Sequence, residues 1–238
     1  MSKDKKIAII TILLYFVYMF GAAVPLKLLG FNTATMSTLS KVIYSTIMEI
    51  ILIIIMIFIN IKDLKINWND FKKNKKQYFD KYFVYWFKML GLMVVANVAV
   101  TLITGDKSSV NEESIRAMMK LSKFYIVFSA VVYAPIVEEL VFRKSIKTLI
   151  KNKWAFILTS GLAFGLIHCL GSTQLIEYLY VIPYAIPGCV FAYILYDSDN
   201  IFNTMSMHLW HNTIMVILEL IVIGLGIVWK KRFFVLSR

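Results

Sequence analysis

Long apolar runs separated by short lysine-rich clusters dominate the pattern of this chain. A helix needs about 20 consecutive apolar residues to cross a bilayer. Runs of that order occupy Ile7–Leu29, Val42–Ile61, Phe83–Thr104, Leu121–Ile150, Trp154–Leu170, Leu175–Tyr196 and Ile201–Trp229. The last is long for one span and short for two. The pattern therefore predicts an all-α fold, a polytopic transmembrane helical bundle of seven or eight spans, each of about 20 residues. No internal repeat or low-complexity linker interrupts it, so residues 1–238 read as a single transmembrane domain.

The lysines give the runs a direction. Basic residues gather at the N-terminus, at Lys62, Lys65, Lys72, Lys73, Lys75, Lys76 and Lys81, and again from Arg143 to Lys153. Alternating spans put these three segments on one side, which the positive-inside rule makes the cytoplasm, with the N-terminus there too. The connections 30–41 and 171–174 are nearly uncharged, as the opposite side requires. Lys230-Lys231-Arg232 asks for the cytoplasmic side as well, hence for an even number of crossings, and conflicts with a count of seven. The first run follows Met-Ser-Lys-Asp-Lys-Lys but offers only Gly21-Ala22-Ala23 for cleavage, so it reads as an uncleaved span. Within 62–81, Leu64, Trp68, Phe71, Tyr78 and Tyr82 recur at roughly helical spacing. That suits a helix on the inner surface, aromatics in the headgroups and lysines toward anionic lipid; a solvated basic loop is the alternative.

Composition narrows the partners. Of 238 residues, 59% are hydrophobic and 17% charged, whereas soluble domains run to about half apolar and about a quarter charged. The net charge of +12 is divided between apolar runs rather than drawn into a stripe, which favours a lipid bilayer over nucleic acid as its partner. Cys169 and Cys189, the only cysteines, sit inside apolar runs and imply neither a disulfide framework nor a structural zinc site. They read as small apolar filler.

Ionisable groups within a membrane are functional candidates because charge there is costly. The fourth run contains Pro135-Ile136-Val137-Glu138-Glu139-Leu140-Val141-Phe142-Arg143. Glu139 and Arg143 stand at i and i+4 and can pair, while Glu138 points about 100° away. A structural ion-pair cluster is an equal reading of this segment alone. The fifth run supplies Phe164-Gly165-Leu166-Ile167-His168. If the fourth and fifth runs form a hairpin turning near Asn152, Glu138 and His168 each lie roughly 21–24 Å from the turn, at matching depth. The last run opens with His208-Leu209-Trp210-His211-Asn212, placing His208 and Asn212 on one face, with His211 able to compete for the role of His208. Inter-helix hydrogen bonding alone would also account for that stripe. Taken together, a carboxylate and an imidazole can deprotonate water, and a second imidazole with an amide can hold an oxyanion.

The ordered motifs Glu138-Glu139-x-x-x-Arg143, Phe164-x-x-x-His168 and His208-x-x-x-Asn212 resemble those of the CPBP family, which joins the CAAX prenyl endopeptidases to bacterial bacteriocin-processing and immunity proteins once grouped as Abi. The resemblance covers about residues 120–220. It implies an intramembrane protease of the glutamate type: Glu138 and His168 activate water, His208 and Asn212 form the oxyanion hole, and Glu139 with Arg143 supports the site. It implies a peptide or protein substrate within the membrane, and no cofactor or metal is assigned. The bacterial relatives imply a role in bacteriocin or pheromone maturation or in self-immunity. Oligomeric state is not legible.

Zinc proteolysis has little to stand on, since no His-Glu-x-x-His occurs. A Cys169 nucleophile beside His168 is badly placed, because adjacent helix residues point about 100° apart. Two alternatives stay open: a non-catalytic membrane scaffold or immunity protein, and an ion-coupled transporter. Glu49 and Glu219, in apolar runs outside the motifs, lean toward the second or mark helix packing.

Overall fold

The structure is a computed structural model, which describes residues 1–105 and 109–224. The apolar periodicity resolves into helices α1 (Lys3–Gly21), α2 (Thr38–Thr104), α3 (Val110–Leu121), α4 (Lys123–Leu149), α5 (Lys153–Ile167), α6 (Val181–Ser198) and α7 (Ile201–Gly224). Among the described residues four helices, α2, α4, α7 and α6 with its preceding 3₁₀ turn Leu175–Tyr180, are long and apolar enough to cross a membrane; α5 is shorter. The protein is thus an α-helical membrane protein, with large apolar side chains such as Phe20, Phe58, Leu102 and Leu162 left facing outward. Lys230-Lys231-Arg232, and with them the question of an eighth crossing, lie outside the described residues.

The principal correction to the sequence reading concerns residues 38–104. The second run, the basic connection and the third run form one unbroken helix of 67 residues rather than two spans and a separate segment. Straight, it would be about 100 Å long. It is not straight. Ser129, which donates to Glu49 at 2.9 Å, lines the same cavity as Asn97, yet Glu49 and Asn97 would stand about 70 Å apart on a straight helix. The helix therefore doubles back, and its limbs meet different partners. The first limb lies along α1, where Asn60 donates to Thr11. The second lies along α6, where the Tyr82 hydroxyl donates to Asp197 at 2.6 Å and Val100 reaches Tyr180 and Cys169. Counting both limbs of α2 and leaving aside the short polar α3, the described residues hold seven rods of helix, in line with the lower span count.

The turn of α2 is held by a polar clasp. Asn200, between α6 and α7, donates to the Asn67 carbonyl at 2.8 Å and to Asp70 at 2.7 Å, while Asn67 Oδ1 accepts the Ile201 N–H at 2.8 Å. A side chain drawing on an interior carbonyl weakens the i→i−4 ladder, a recognised cause of helix bending. Trp68 and Phe71 pack on Phe202. Leu64, Phe71, Tyr78 and Tyr82 thus lean on the bundle, Trp68 and Phe79 stay exposed, and the lysines face outward. A solvated loop is excluded. Lysines from separate segments do gather at one end: Lys144 reaches Asp63, Lys147 reaches Asp199 and Lys81 reaches Asp197.

The pair α5 and α6 forms the tightest contact. A Cβ on Gly188 would stand 2.7 Å from the Gly161 Cα, and one on Gly165 would stand 2.6 Å from the Val181 carbonyl. Small residues at this spacing let helix backbones touch where lipid offers no hydrophobic drive.

Candidate active site

The motif residues converge on one cavity of about 540 Å³, lined by Glu138, His168, His208, His211 and Asn212 among others. α4 and α5 form the expected hairpin, with Asn152 capping α5 by accepting the Ala155 N–H at 3.0 Å. Ser160 ties the two helices by donating to the Phe142 carbonyl at 2.7 Å.

α4 is not a plain α-helix. Two π-helical stretches, Ser129–Tyr133 and Glu139–Ser145, flank a single α turn, Ala134–Glu138. Such widened turns recur at functional sites because they re-aim side chains and free a backbone group. Here Glu138 and Glu139 fall on either side of the second junction. Glu139 is wholly buried: its Oε2 lies 3.4 Å from Arg143 Nε, and its Oε1 lies 2.9 Å from His208 Nδ1. Arg143, equally buried, has its guanidinium 4.2 Å from the centre of the Phe164 ring and 5.6 Å from that of Phe191. The supporting pair read from i, i+4 spacing is thus formed, and it also grips His208.

Glu138 approaches the other side of the same ring, with Oε2 3.8 Å from His208 Nε2. Because a carboxylate only accepts, Nδ1 of His208 carries the proton toward Glu139, and Nε2 faces Glu138 and the cavity. The same logic fixes His168. Its Nδ1 lies 2.7 Å from the Phe164 carbonyl, so Nδ1 donates and Nε2 keeps its lone pair. Tyr184 stacks on that ring at 4.7 Å. Glu138 and His168 share the cavity, but no hydrogen bond joins them among the described residues, and the sequence-derived pairing of these two is not direct. Asn212 lines the cavity as its position four residues after His208 requires. One of its amide N–H groups is already donated to the Ala130 carbonyl, at 2.7 Å, in the first π stretch.

The two unexplained carboxylates find partners. Glu49 accepts from Tyr125 and Ser129, at 3.0 and 2.9 Å. Glu219 accepts from Arg116 Nε at 3.0 Å, and Arg116 also reaches Glu112 at 2.6 Å. Glu112, Arg116 and Glu219 line the same cavity as the motif residues. Sequence reasoning missed α3 as a wall of the site; the signal present was Glu112-x-x-x-Arg116, an i, i+4 pair in a segment too polar to span. Cys169 is buried against Val100 and Tyr180.

Residues 120–214 match the family model described as type II CAAX prenyl endopeptidase Rce1-like. No curated protein and no solved structure matches the chain at a significant level. The match covers α4 through the first half of α7 and contains every motif residue, and it agrees with the CPBP resemblance. By it, residues 120–214 are similar to the core of a CAAX-type intramembrane protease.

Proposed function

We propose that this protein is an intramembrane endopeptidase that hydrolyses peptide bonds of membrane-associated or secreted peptide precursors. The observation that carries the reading is the line Glu138, His208, Glu139, closed at its buried end by Arg143 and open at Glu138 to a cavity shared with His168 and Asn212.

In this mechanism Glu138 takes a proton from water as the water oxygen attacks the scissile carbonyl carbon. His168, its Nδ1–H held by Phe164, offers the Nε2 lone pair to the water's second hydrogen and so aims the attacking oxygen. Charge gathers on the carbonyl oxygen. His208 donates to it through Nε2, and since Glu139 holds the Nδ1–H, the ring acts in its doubly protonated form between two carboxylates. Asn212 gives its second N–H, steadied by the bond to Ala130. Each well-placed donor of this kind lowers the barrier by about 3–4 kcal/mol. As the C–N bond breaks, Glu138 returns its proton to the leaving amine.

The sequence resemblance supports a role in maturing bacteriocin or pheromone precursors or in self-immunity, with the lysine-rich end of the bundle and the N-terminus in the cytoplasm. The partners of Glu49 and Glu219 on neighbouring helices support the helix-packing reading of these two carboxylates over an ion-coupled transporter. The test is cleavage of candidate precursors by purified full-length protein in detergent, followed by mass spectrometry. Glu138→Gln and His168→Ala are expected to insert and accumulate but to leave the peptides intact. Unchanged cleavage by Glu138→Gln would exclude the mechanism, and a biological effect that persists in that variant would identify a scaffold.

A further inference from the structure

The cavity extends well beyond the catalytic groups, and its far end is charged. His208, Asn212, Met215 and Glu219 all line it. Their spacing of four, three and four residues keeps one face of α7 toward the cavity for three turns. At that end Glu219 and Glu112 share Arg116 between them, at 3.0 and 2.6 Å. These side chains are 23%, 42% and 31% exposed respectively, so they are accessible rather than sealed. Among the described cavity-lining residues Arg116 is the only lysine or arginine, against the carboxylates of Glu112, Glu138 and Glu219. A second observation comes from His211, beside Asn212 on the path to that end, which is 7% exposed and lines the same cavity with an Nδ1 that has no hydrogen-bond partner among the described residues. Such unspent polar capacity in a buried wall suits a polar guest.

The charged end also lies apart from the catalytic core in sequence. Glu112, Arg116 and Glu219 all fall outside residues 120–214, the segment shared with the Rce1-like family. Chemistry and selection are thus divided along the chain. From this the geometry points to a substrate subsite: Glu112 and Glu219, bridged by Arg116, take a cationic side chain, lysine or arginine, of the peptide being cleaved. An entering cation replaces the guanidinium at one carboxylate, and Arg116 keeps the other. An anionic group would have to displace two carboxylates from the one guanidinium among the described lining residues. On α7, Glu219 lies about 10 Å beyond Asn212 and about 16 Å beyond His208. An extended peptide advances about 3.3 Å per residue, so the selected residue lies three to five positions from the cleaved bond.

This inference rests on the peptidase reading, and the experiment separates the two. Synthetic peptides with one apolar core carry lysine, norleucine or glutamate at each position up to five residues on either side of the cleavage point. Binding is read by fluorescence anisotropy on full-length Glu138→Gln protein in nanodiscs, which needs no turnover, and cleavage is read on the wild type. Lysine at one position three to five residues from the bond is expected to bind about tenfold more tightly than norleucine. Glu219→Gln combined with Glu112→Gln should erase that gain while the norleucine peptide binds and is cleaved as before. Glu219→Asp, which keeps the charge, should retain it. A flat scan, a preference for glutamate, or an equal loss across all peptides in the double variant would overturn the subsite, the last by reducing the cluster to a structural strap. Cleavage with a flat scan defeats the subsite alone; a lysine-selective scan without any Glu138-dependent cleavage defeats the peptidase reading alone.

Discussion

Removing the charge of Glu139 tests how the site is held together. Glu139 and Arg143 are both wholly buried, with Oε2 and Nε 3.4 Å apart. Glu139→Gln keeps the shape and can still accept the His208 Nδ1–H, but it strands the guanidinium between Phe164 and Phe191. Breaking a buried pair by neutralising one partner costs about 3–5 kcal/mol, chiefly because the other charge is left uncompensated. Arg143→Met strands the carboxylate instead and should cost a comparable amount. The double variant Glu139→Gln/Arg143→Met removes both charges and fills the space with methionine. It should be less destabilised than the sum of the single variants by about 2 kcal/mol or more, the coupling expected of residues in one network. Thermal unfolding of the four proteins in one detergent, followed by intrinsic fluorescence, closes the cycle. Additive losses would refute the argument, showing that the two charges do not compensate one another. A second reading follows from His208. If the charge of Glu139, and not its acceptor alone, supports His208 as a donor to the oxyanion, the double variant regains stability without regaining peptide cleavage.

Other consequences can be checked on the same preparation. Gly188→Ala places a methyl 2.7 Å from the Gly161 Cα and 3.0 Å from its carbonyl oxygen, both backbone atoms; parting α5 from α6 should cost about 1–3 kcal/mol and lower the thermal midpoint. Asn67→Ala removes the acceptor of the Ile201 N–H. A loss of about 1 kcal/mol is expected, as for a helix cap, with faster hydrogen exchange confined to the first turn of α7. Glu49→Gln keeps an oxygen for Tyr125 and Ser129 and should leave cleavage intact, whereas a transporter using Glu49 would lose coupled uptake.

The grouping of the candidate site residues around one cavity was more legible in the sequence than the path of the chain. Glu139 with Arg143, and His208 with Asn212, were legible because i, i+4 spacing on a helix fixes a shared face whatever surrounds it. The matching depth of Glu138 and His168 was legible because a hairpin turning near Asn152 and a constant rise per residue leave little freedom. Lysine clusters likewise announced a common basic end, which the pairs Lys144–Asp63, Lys147–Asp199 and Lys81–Asp197 assemble.

Tertiary structure alone decided the rest. Nothing in the periodicity of 62–81 distinguishes a separate surface segment from the bend of one long helix, since both are helical and lysine-rich. The bend is made by Asn200, more than a hundred residues away. Nor does periodicity reveal the π turns of α4, which depend on where buried partners draw the backbone. Glu219 looked like an isolated charge because its counter-ion, Arg116, stands on another helix. Local spacing determines which side chains share a face; only the packing of distant helices determines what that face meets.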